Sequence, residues 1–432
     1  MPTPSLIIVP ARFKTGKLYT PLATTSGGTV LGASGDFNVT RATTATRVNA
    51  SGYIEVVASG IPRLDYYTSG GTAGCPALLV EPSGSNSVLR SDFSAGWTAT
   101  VSATVTGVTS PDGTANASTF IADGTTSRVR QSVSLVSGTT YTYSLFGKFG
   151  SLSSGFTMQV FEENVTTYGS GVCQAFNLNE GTLGASGSVG AGFTLQSAGM
   201  ENYGNGWYRC RMTVLMGYTT PSGATGGRVG FRIGTAISGG RPLSVVSGSV
   251  SAWGAQLETG SVATSYIPTT TAAATRNAEV ISTANQVSGC IGQTEGTVYA
   301  EIVNTLRTYV SFGYVVRVYA DDNNEVWIRK EQSANTYTVR WRANSQDTTF
   351  TNISVPNGAS KIAIGYKSGD TALFLNGSQV GVTNTDVRAF SVGPNTIALG
   401  STGFDAYYRD RIRAVALYTT RLTNTELQAL TT

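Results

Sequence analysis

The segment Thr371–Gly381 reads TALFLNGSQVG and predicts two β-strands joined by a tight turn. Its apolar residues surround the dipeptide Asn376-Gly377. Asn-Gly supplies the two positive-φ positions of a type I′ turn, whose twist matches that of two antiparallel strands. The segment therefore indicates a β-hairpin.

The same kind of pattern continues outward from this hairpin through most of the chain. Upstream, Val315–Tyr319 and Glu325–Arg329 flank the polar turn DDNN, and alternating runs such as Thr157–Phe161 recur about every 10 to 15 residues. Such runs, broken by Gly, Ser, Asn and Asp, favour an antiparallel sandwich or barrel. Only the end of the chain predicts a helix, because Thr423–Glu426 has the sequence of a capping box.

The composition excludes several classes of function. The chain has 432 residues, with 52 Gly, 13 Pro and no His, so histidine-based catalysis and histidine metal ligands are excluded. Charged residues make up only 12%, and the net charge of +4 predicts no nucleic-acid partner. No apolar run approaches the roughly 18 residues of a membrane helix, so no membrane insertion is expected. The four Cys form no CxxC pair and are expected to be free buried thiols.

Three regions can be separated along the chain. Residues 1–72 hold many turn-forming clusters and few clear strands, and they predict an irregular N-terminal region. Residues 73–275 carry the first run of regular strands and end in TTTAAAT, which is typical of a linker. Residues 276–432 form the second strand-rich unit. The short apolar run Leu6–Val9 lacks a preceding basic residue, so we expect synthesis in a cytosol without a signal peptide.

The last unit resembles the concanavalin A-like, or laminin-G-like, jelly rolls. The similarity lies in LFLNG (Leu373–Gly377), LG (Leu399-Gly400) and YTTRLTNTEL (Tyr418–Leu427), which follow that family's order of hairpin, Gly-ending strand and final segment. The resemblance implies that residues 276–432 fold as an antiparallel jelly roll.

The rest of the chain resembles bacteriophage tail-fibre and head-fibre proteins. The middle unit shares NGWYR (Asn205–Arg209), WGAQLE (Trp253–Glu258) and YIPT (Tyr266–Thr269) with their carbohydrate-binding-module-like jelly rolls. Nearer the N-terminus the similar segments are PRLDY (Pro62–Tyr66) and LLVEP (Leu78–Pro82). The resemblance implies an all-β virion protein in which an N-terminal docking region precedes two jelly rolls.

For function, the resemblance implies attachment of a phage virion to bacterial surface glycans. The chain is then a non-enzymatic fibre or spike protein, made in the host cytoplasm and located in the virion. It would contact other virion proteins through residues 1–72. We expect a homotrimer, because trimerisation closes exposed sheet edges. Two alternatives stay open: a structural head fibre or capsid decoration without receptor binding, and a glycan depolymerase.

Aromatic side chains are the candidate glycan-binding residues, since sugar rings stack on aromatic faces. Each candidate has the alternative of packing in, or at the rim of, a sandwich core. Tyr407 and Tyr408 follow a loop sequence and are expected to be the most exposed. The candidates are Trp207, Tyr208, Trp327, Trp341, Tyr407 and Tyr408.

Neither a cofactor nor a catalytic centre is predicted. Asp321, Asp322 and Asn323 offer oxygens that suit Ca²⁺, but the same residues favour a plain hairpin turn. Glycoside hydrolysis needs two facing carboxylates. The adjacent Glu162 and Glu163 would point to opposite faces of a strand, so we expect that the chain is not an enzyme.

Overall fold

The regular secondary structure of the computed structural model is nearly all antiparallel β-strand, as the alternating pattern predicts. It describes residues 2–10, 12–20, 22–24, 36–69, 74–124, 127–151, 155–162, 170–217, 226–243, 247–283, 287–305, 311–333, 335–401 and 406–432. Within these ranges, no helix has the length and apolar character needed to cross a membrane.

Strands near the N-terminus are short. Those before residue 87 are β1 (Leu6–Ile8), β2 (Phe13–Lys14), β3 (Lys17–Leu18), β4 (Leu22–Ala23), β5 (Phe37–Thr40), β6 (Ala45–Val48), β7 (Ile54–Val57), β8 (Arg63–Asp65), β9 (Ala77–Leu79) and β10 (Gly84–Asn86).

The middle of the chain holds longer strands. They are β11 (Thr98–Thr100), β12 (Ala103–Val108), β13 (Ala117–Asp123), β14 (Arg128–Ser134), β15 (Thr139–Ser151), β16 (Gly155–Glu162), β17 (Gly171–Asn177), β18 (Thr182–Val189), β19 (Phe193–Gly204), β20 (Trp207–Met216), β21 (Gly226–Ile233), β22 (Ile237–Ser238), β23 (Arg241–Pro242) and β24 (Ser247–Thr259).

The last part of the chain adds further strands and one α-helix. They are β25 (Ala274–Arg276), β26 (Val280–Thr283), β27 (Glu295–Asn304), β28 (Gly313–Asp321), β29 (Asn324–Lys330), β30 (Thr336–Ala343), β31 (Gln346–Ser354), β32 (Gly358–Lys367), β33 (Thr371–Leu375), β34 (Ser378–Asn384), β35 (Thr396–Leu399), β36 (Arg411–Tyr418) and α1 (Asn424–Thr431).

The middle sandwich consists of two six-stranded sheets. One has the order β11-β14-β21-β16-β17-β18, and the other has the order β12-β13-β24-β15-β20-β19. On β16, the side chains of Phe156, Met158 and Val160 enter the core between the sheets. Because side chains alternate along a strand, Gln159 and Phe161 lie on the opposite, outer face of the first sheet.

The C-terminal sandwich consists of two nine-stranded sheets. The first has the order β34-β33-β32-β27-β36-β1-β4; in addition, β9 pairs with β36, and β8 pairs with β9. The second has the order β2-β3-β5-β26-β35-β28-β29-β30-β31. The Asn376-Gly377 turn between β33 and β34 has the two positive φ angles that were predicted, 47° and 78°. The capping box is also confirmed, since Thr423 and Glu426 exchange both hydrogen bonds.

The N-terminal strands complete the sheets of the C-terminal sandwich. Strand β1 pairs with β36, placing Leu6 opposite Leu417, and β5 pairs with β26. Residues 1–72 look irregular in sequence because their strands, of two to four residues, are too short to show alternation. The proposed boundary at residues 72–73 lies outside the described residues, and the docking role of this region stays a prediction.

A network of buried charges joins the N-terminal region to the segment between the two sandwiches. We call Arg41, Arg63, Glu81, Arg276 and Glu279 the junction network. Arg63 Nη1 lies 2.8 Å from Glu81 Oε2, and Arg63 Nε lies 2.6 Å from Glu279 Oε1. Arg41 Nη1 lies 2.6 Å from Glu279, and Arg276 Nη1 lies 3.0 Å from Glu81. All five side chains are buried, so each charge depends on its partners.

The junction network predicts a specific loss of stability in acid. Burial raises the pKa of Glu81, but the Arg276 and Arg63 charges outweigh it, so that pKa lies well below its usual range. The stabilisation is therefore present above the unfolded-state pKa near 4.3, and it is lost as the pH falls towards the folded-state value. We expect Glu81→Gln to cost about 3 kcal/mol of unfolding free energy between pH 8 and 5. Urea unfolding should show that this difference shrinks below about pH 4; a difference unchanged down to pH 2 contradicts the assignment.

Candidate functional site

A cleft of about 200 Å³ lies on the outer face of the sheet that contains β16, β17 and β21. Its floor is built by side chains of the sheet, and the β22–β23 hairpin forms a second wall. The described residues that line it are Gln159, Phe161, Gly171, Val172, Cys173, Val189, Arg232, Gly240, Arg241 and Pro242.

Strand register brings the polar floor residues together. Gln159 is paired across β16 and β17 with Cys173, and Cys173 is paired across β17 and β18 with Gly187. On the other side, Thr157 of β16 is paired with Arg232 of β21. Paired residues point to the same face of a sheet, so Gln159, Cys173 and Arg232 share the outer face.

Two glycines allow the β22–β23 hairpin to lie directly on β18. Gly240 has a φ of +75°, and a Cβ atom there would lie 2.1 Å from the carbonyl oxygen of Ser188. A Cβ on Gly187 would lie 2.7 Å from the carbonyl oxygen of Gly240. The Cys173 thiol also contacts Gly240 O at 3.5 Å. Larger residues at these positions would push the hairpin away and open the cleft.

The Gln159 amide has an unmet hydrogen-bonding requirement. Its side chain is 8% exposed, and its Nε2 atom is buried without a hydrogen-bond partner among the described residues. A buried amide donor that lacks a partner is costly, at roughly 1–3 kcal/mol. A ligand that accepts a hydrogen bond in the cleft removes that cost.

The other lining residues suit binding rather than covalent chemistry. Phe161, Val189 and Pro242 supply apolar surface, while Arg232 and Arg241 supply guanidinium groups. Burial raises the pKa of Cys173 to about 11, so the thiol is protonated at neutral pH and is a poor nucleophile. The cleft can therefore hold a polar ligand with one apolar face and, preferably, a negative charge.

The predicted aromatic pair of the middle sandwich lies elsewhere. Trp207 is 2% exposed and packs under the β6–β7 hairpin with Trp253 and Phe146, and its indole N–H donates to Thr109 O. Tyr208 is half-buried and packs against the sandwich core. The expectation that Trp207 offers an exposed face to a sugar is therefore wrong, because the β6–β7 hairpin covers that face of the sheet.

The two tryptophans of the C-terminal sandwich are also buried. Trp341 lies in the core, 5.5 Å from Tyr366 and 5.9 Å from Phe390 between ring centroids. Trp327 is 1% exposed because the guanidinium groups of Arg329 and Arg340 cover its ring at 4.6 and 4.7 Å. The structure thus favours the packing alternative for both, and neither offers a free face to a sugar.

The expectation of an exposed Tyr407-Tyr408 pair is wrong. Both side chains lie in the core of the C-terminal sandwich, and the Tyr408 hydroxyl lies 2.9 Å from that of Tyr337. The backbone of Tyr407 forms an isolated parallel β-bridge with that of Tyr314. Both residues are buried, so the pair packs inside the sandwich and does not lie on its surface.

The weak calcium candidate forms a hairpin turn. Asp321 accepts hydrogen bonds from the backbone N–H of Asn323 and the side chain of Asn324, while Asp322 pairs with Arg317 at 2.7 Å. Across the parts of the chain that the structure describes, no group of three His, Cys, Asp or Glu residues is arranged to hold a metal ion. Glu163, the partner in the carboxylate pair, lies outside the described residues.

Sequence reasoning missed the cleft residues because nothing local distinguishes them. Gln159 and Cys173 stand in ordinary strand sequences, and Arg232 follows Phe231 in another. The glycine pair of the β22–β23 hairpin, Gly239-Gly240, was the one available signal, since paired glycines mark close backbone approach.

The cysteines are largely as predicted. All four are free in the structure, and Cys173, Cys210 and Cys290 are buried. Cys75 differs because it is exposed.

Comparisons with known proteins identify no family. No family model and no curated protein matches the sequence. Among solved structures, the chain is similar to the CBM40 of a Ruminococcus gnavus sialidase bound to α2,3-sialyllactose, with 15% identity, a TM-score of 0.29, and coverage of 35% of this chain and 92% of that one.

Two further solved structures are similar to the same degree. Domain 4 of a Geobacillus stearothermophilus arabinanase in complex with arabinotriose has 17% identity and a TM-score of 0.30, covering 36% of this chain and 73% of that one. A SAP-like pentraxin from Limulus polyphemus has 18% identity and a TM-score of 0.24, covering 31% and 68%. Similarities this distant carry no argument about what this chain binds.

Proposed function

We propose that this chain is a non-enzymatic fibre or spike protein of a phage virion and that its cleft beside Gln159 binds an acidic glycan of a bacterial surface. The observation that carries the binding site is the buried Nε2 atom of Gln159, which has no hydrogen-bond partner among the described residues and lies in the floor of a cleft that two arginines also line. A sugar hydroxyl or carbonyl oxygen is the acceptor that this atom lacks.

The size and lining of the cleft suit one sugar residue of a longer chain. At about 200 Å³ it is smaller than a drug-binding pocket, which typically measures about 300–1,000 Å³. Phe161 and Pro242 offer apolar surface to the C–H groups of a sugar ring, and the amide of Gln159 fixes its orientation.

The arginines of the outer face favour acidic sugars. Arg232 and Arg241 line the cleft, and Arg228 and Arg130 stand on the same face of the neighbouring strands by register. Guanidinium groups recognise carboxylates and phosphates with paired hydrogen bonds. Binding should therefore weaken as salt is added.

The virion role and the lack of catalysis rest on other observations. The phage part of the proposal is supported by the sequence motifs, and a homotrimer would present three clefts and strengthen weak binding. None of the described residues that line the cleft is a carboxylate, whereas glycoside hydrolysis requires two. These points favour attachment over depolymerisation.

Gln159→Leu provides a clean test of the cleft. Removing a buried donor that has no partner among the described residues should cost the fold little, because Nε2 makes no hydrogen bond there that could be lost. We expect this variant to bind host polysaccharide at least about tenfold more weakly than the unmodified chain on a glycan array.

A matched control uses Gln174, which lies on the next strand and whose Nε2 donates to Ala175 O and Gly184 O, each at 2.9 Å. Gln174→Leu should lower stability and leave glycan binding unchanged. Equal binding by Gln159→Leu and the unmodified chain would rule out the cleft. Absence of binding by the intact oligomer would favour a structural head fibre, and release of oligosaccharides would favour a depolymerase.

A further inference from the structure

Three buried polar side chains meet between the two sheets of the C-terminal sandwich. Asn304 ends β27 in one sheet, Lys330 ends β29 in the other, and Asp410 immediately precedes β36. All three are fully buried. Lys330 Nζ lies 2.7 Å from Asn304 Oδ1 and 2.8 Å from Asp410 Oδ2.

We propose that Lys330 and Asn304 become joined by an intramolecular isopeptide bond, with Asp410 carrying the protons of the reaction. A buried ion pair between Lys330 and Asp410 would explain two of the three residues. It does not explain why the third group in contact with the amine is a carboxamide, the side chain whose carbonyl carbon an amine can attack with release of ammonia.

The geometry is close to that of attack. A carbonyl bond is about 1.23 Å long, so the Asn304 carbonyl carbon lies no more than about 3.9 Å from Lys330 Nζ. Reacting atoms in near-attack arrangements are about 3–3.5 Å apart. Asn304 Nδ2 donates to Val355 O at 3.0 Å and to Pro356 O at 3.2 Å, which holds the carbonyl oxygen towards the amine.

The Asp410 carboxyl group is positioned by contacts at both of its oxygen atoms, one of them with the amine. Its Oδ1 atom accepts a hydrogen bond from the Thr305 hydroxyl, while its Oδ2 atom faces Lys330 Nζ. Burial in a low-dielectric interior disfavours the charged amine and the charged carboxylate alike. Transfer of one proton from Nζ to Oδ2 neutralises both groups and leaves the amine with a free electron pair.

The reaction balances without a further reactant. The neutral Nζ attacks the Asn304 carbonyl carbon, forming the N–C bond and a tetrahedral centre. Asp410 takes a proton from Nζ and supplies one to the departing Nδ2, and the C–Nδ2 bond breaks to release ammonia. The products are a secondary amide, ammonia and an Asp410 carboxyl group that keeps one proton.

Two consequences favour the product. The reaction removes a buried positive and a buried negative charge, which are costly to keep in the core. It also connects residues 26 positions apart and joins one sheet of the sandwich to the other. A closed loop of this kind stabilises the fold as a disulfide does, by restricting the unfolded chain.

Mass spectrometry of the denatured, unmodified full-length chain tests the proposal. We expect a mass about 17 Da below that of the sequence, because one ammonia is lost. A tryptic digest should contain a branched peptide that joins residues 277–307 to residues 330–340. A chain of full mass, or one about 18 Da lighter with Lys330 joined to Asp410 after loss of water, would overturn the proposal.

Variants that still fold locate the bond. Lys330→Arg and Asn304→Ala should restore the full mass that their own sequences predict. Lys17→Arg is the matched control, since Lys17 Nζ lies 2.6 Å from Asn38 Oδ1 in a half-buried pair. That variant should keep the loss of ammonia, and a loss that instead disappears with Lys17 would overturn the assignment to Lys330.

Discussion

Replacing Arg63 with methionine is expected to lower the free energy of unfolding by about 3–5 kcal/mol. Arg63 is fully buried, and its guanidinium contacts Glu81, Glu279, Ser265 and the Thr46 carbonyl. Its removal leaves two buried carboxylates short of positive charge. Urea unfolding followed by tryptophan fluorescence measures this loss.

Arg47 gives the matched control for that experiment. It pairs with Glu55 at 2.7 Å, but the two side chains are 17% and 36% exposed. A partly exposed pair is worth about 0–1 kcal/mol, so Arg47→Met should cause only a small loss. If Arg63→Met and Arg47→Met lower stability equally, the junction network does not hold the N-terminal region in place.

Replacing Trp341 with alanine is expected to lower the unfolding free energy of the C-terminal sandwich by about 3–5 kcal/mol. The indole is fully buried between Tyr366 and Phe390, and its removal leaves a large cavity. Thermal unfolding measures the loss. Glycan binding by the folded variant should not change, since Trp341 lies in the core of the C-terminal sandwich and the cleft lies on the middle one.

The control for Trp341 is an exposed apolar residue in the same sandwich. Val382 is 81% exposed, so Val382→Ala should alter stability by less than about 0.5 kcal/mol. A Trp341→Ala variant that keeps full stability while losing glycan binding would show that this tryptophan is a contact residue instead of a core residue.

Local sequence signals predicted those parts of the fold that local physics determines. The Asn376-Gly377 turn needs two positive φ angles, and the Thr423–Glu426 box satisfies helix N–H groups within one turn. Both features depend on neighbouring residues alone, so a single sequence reveals them. Alternation likewise identified the long strands of both sandwiches.

Such local signals do not predict which strands pair when they lie far apart in the sequence. Strand β1 has three residues, and its place beside β36 depends on contacts more than 400 positions away in the chain. Aromatic residues could not be divided into core and surface because both faces of a sheet in this protein are often covered. Trp207 is covered by the β6–β7 hairpin, and Trp327 is covered by two arginines.

The motifs that suggest a phage protein have a structural role in this chain. Arg63 of PRLDY and Glu81 of LLVEP belong to the junction network. Gln256 and Glu258 of WGAQLE accept hydrogen bonds from the backbone N–H groups of Ile267 and Thr264. In this chain, these motifs therefore help to build the junction between regions. They do not locate a receptor site, which is why the cleft beside Gln159 had to be found from the structure.

A crystal structure of the full-length protein with an acidic oligosaccharide from a bacterial surface is the most direct test of the proposed attachment site. We predict a sugar residue in the cleft, with an oxygen within hydrogen-bonding distance of Gln159 Nε2 and an acidic group against Arg232 or Arg241. A sugar bound instead on the arginine-covered face around Trp327, with the cleft empty, would contradict the proposed site.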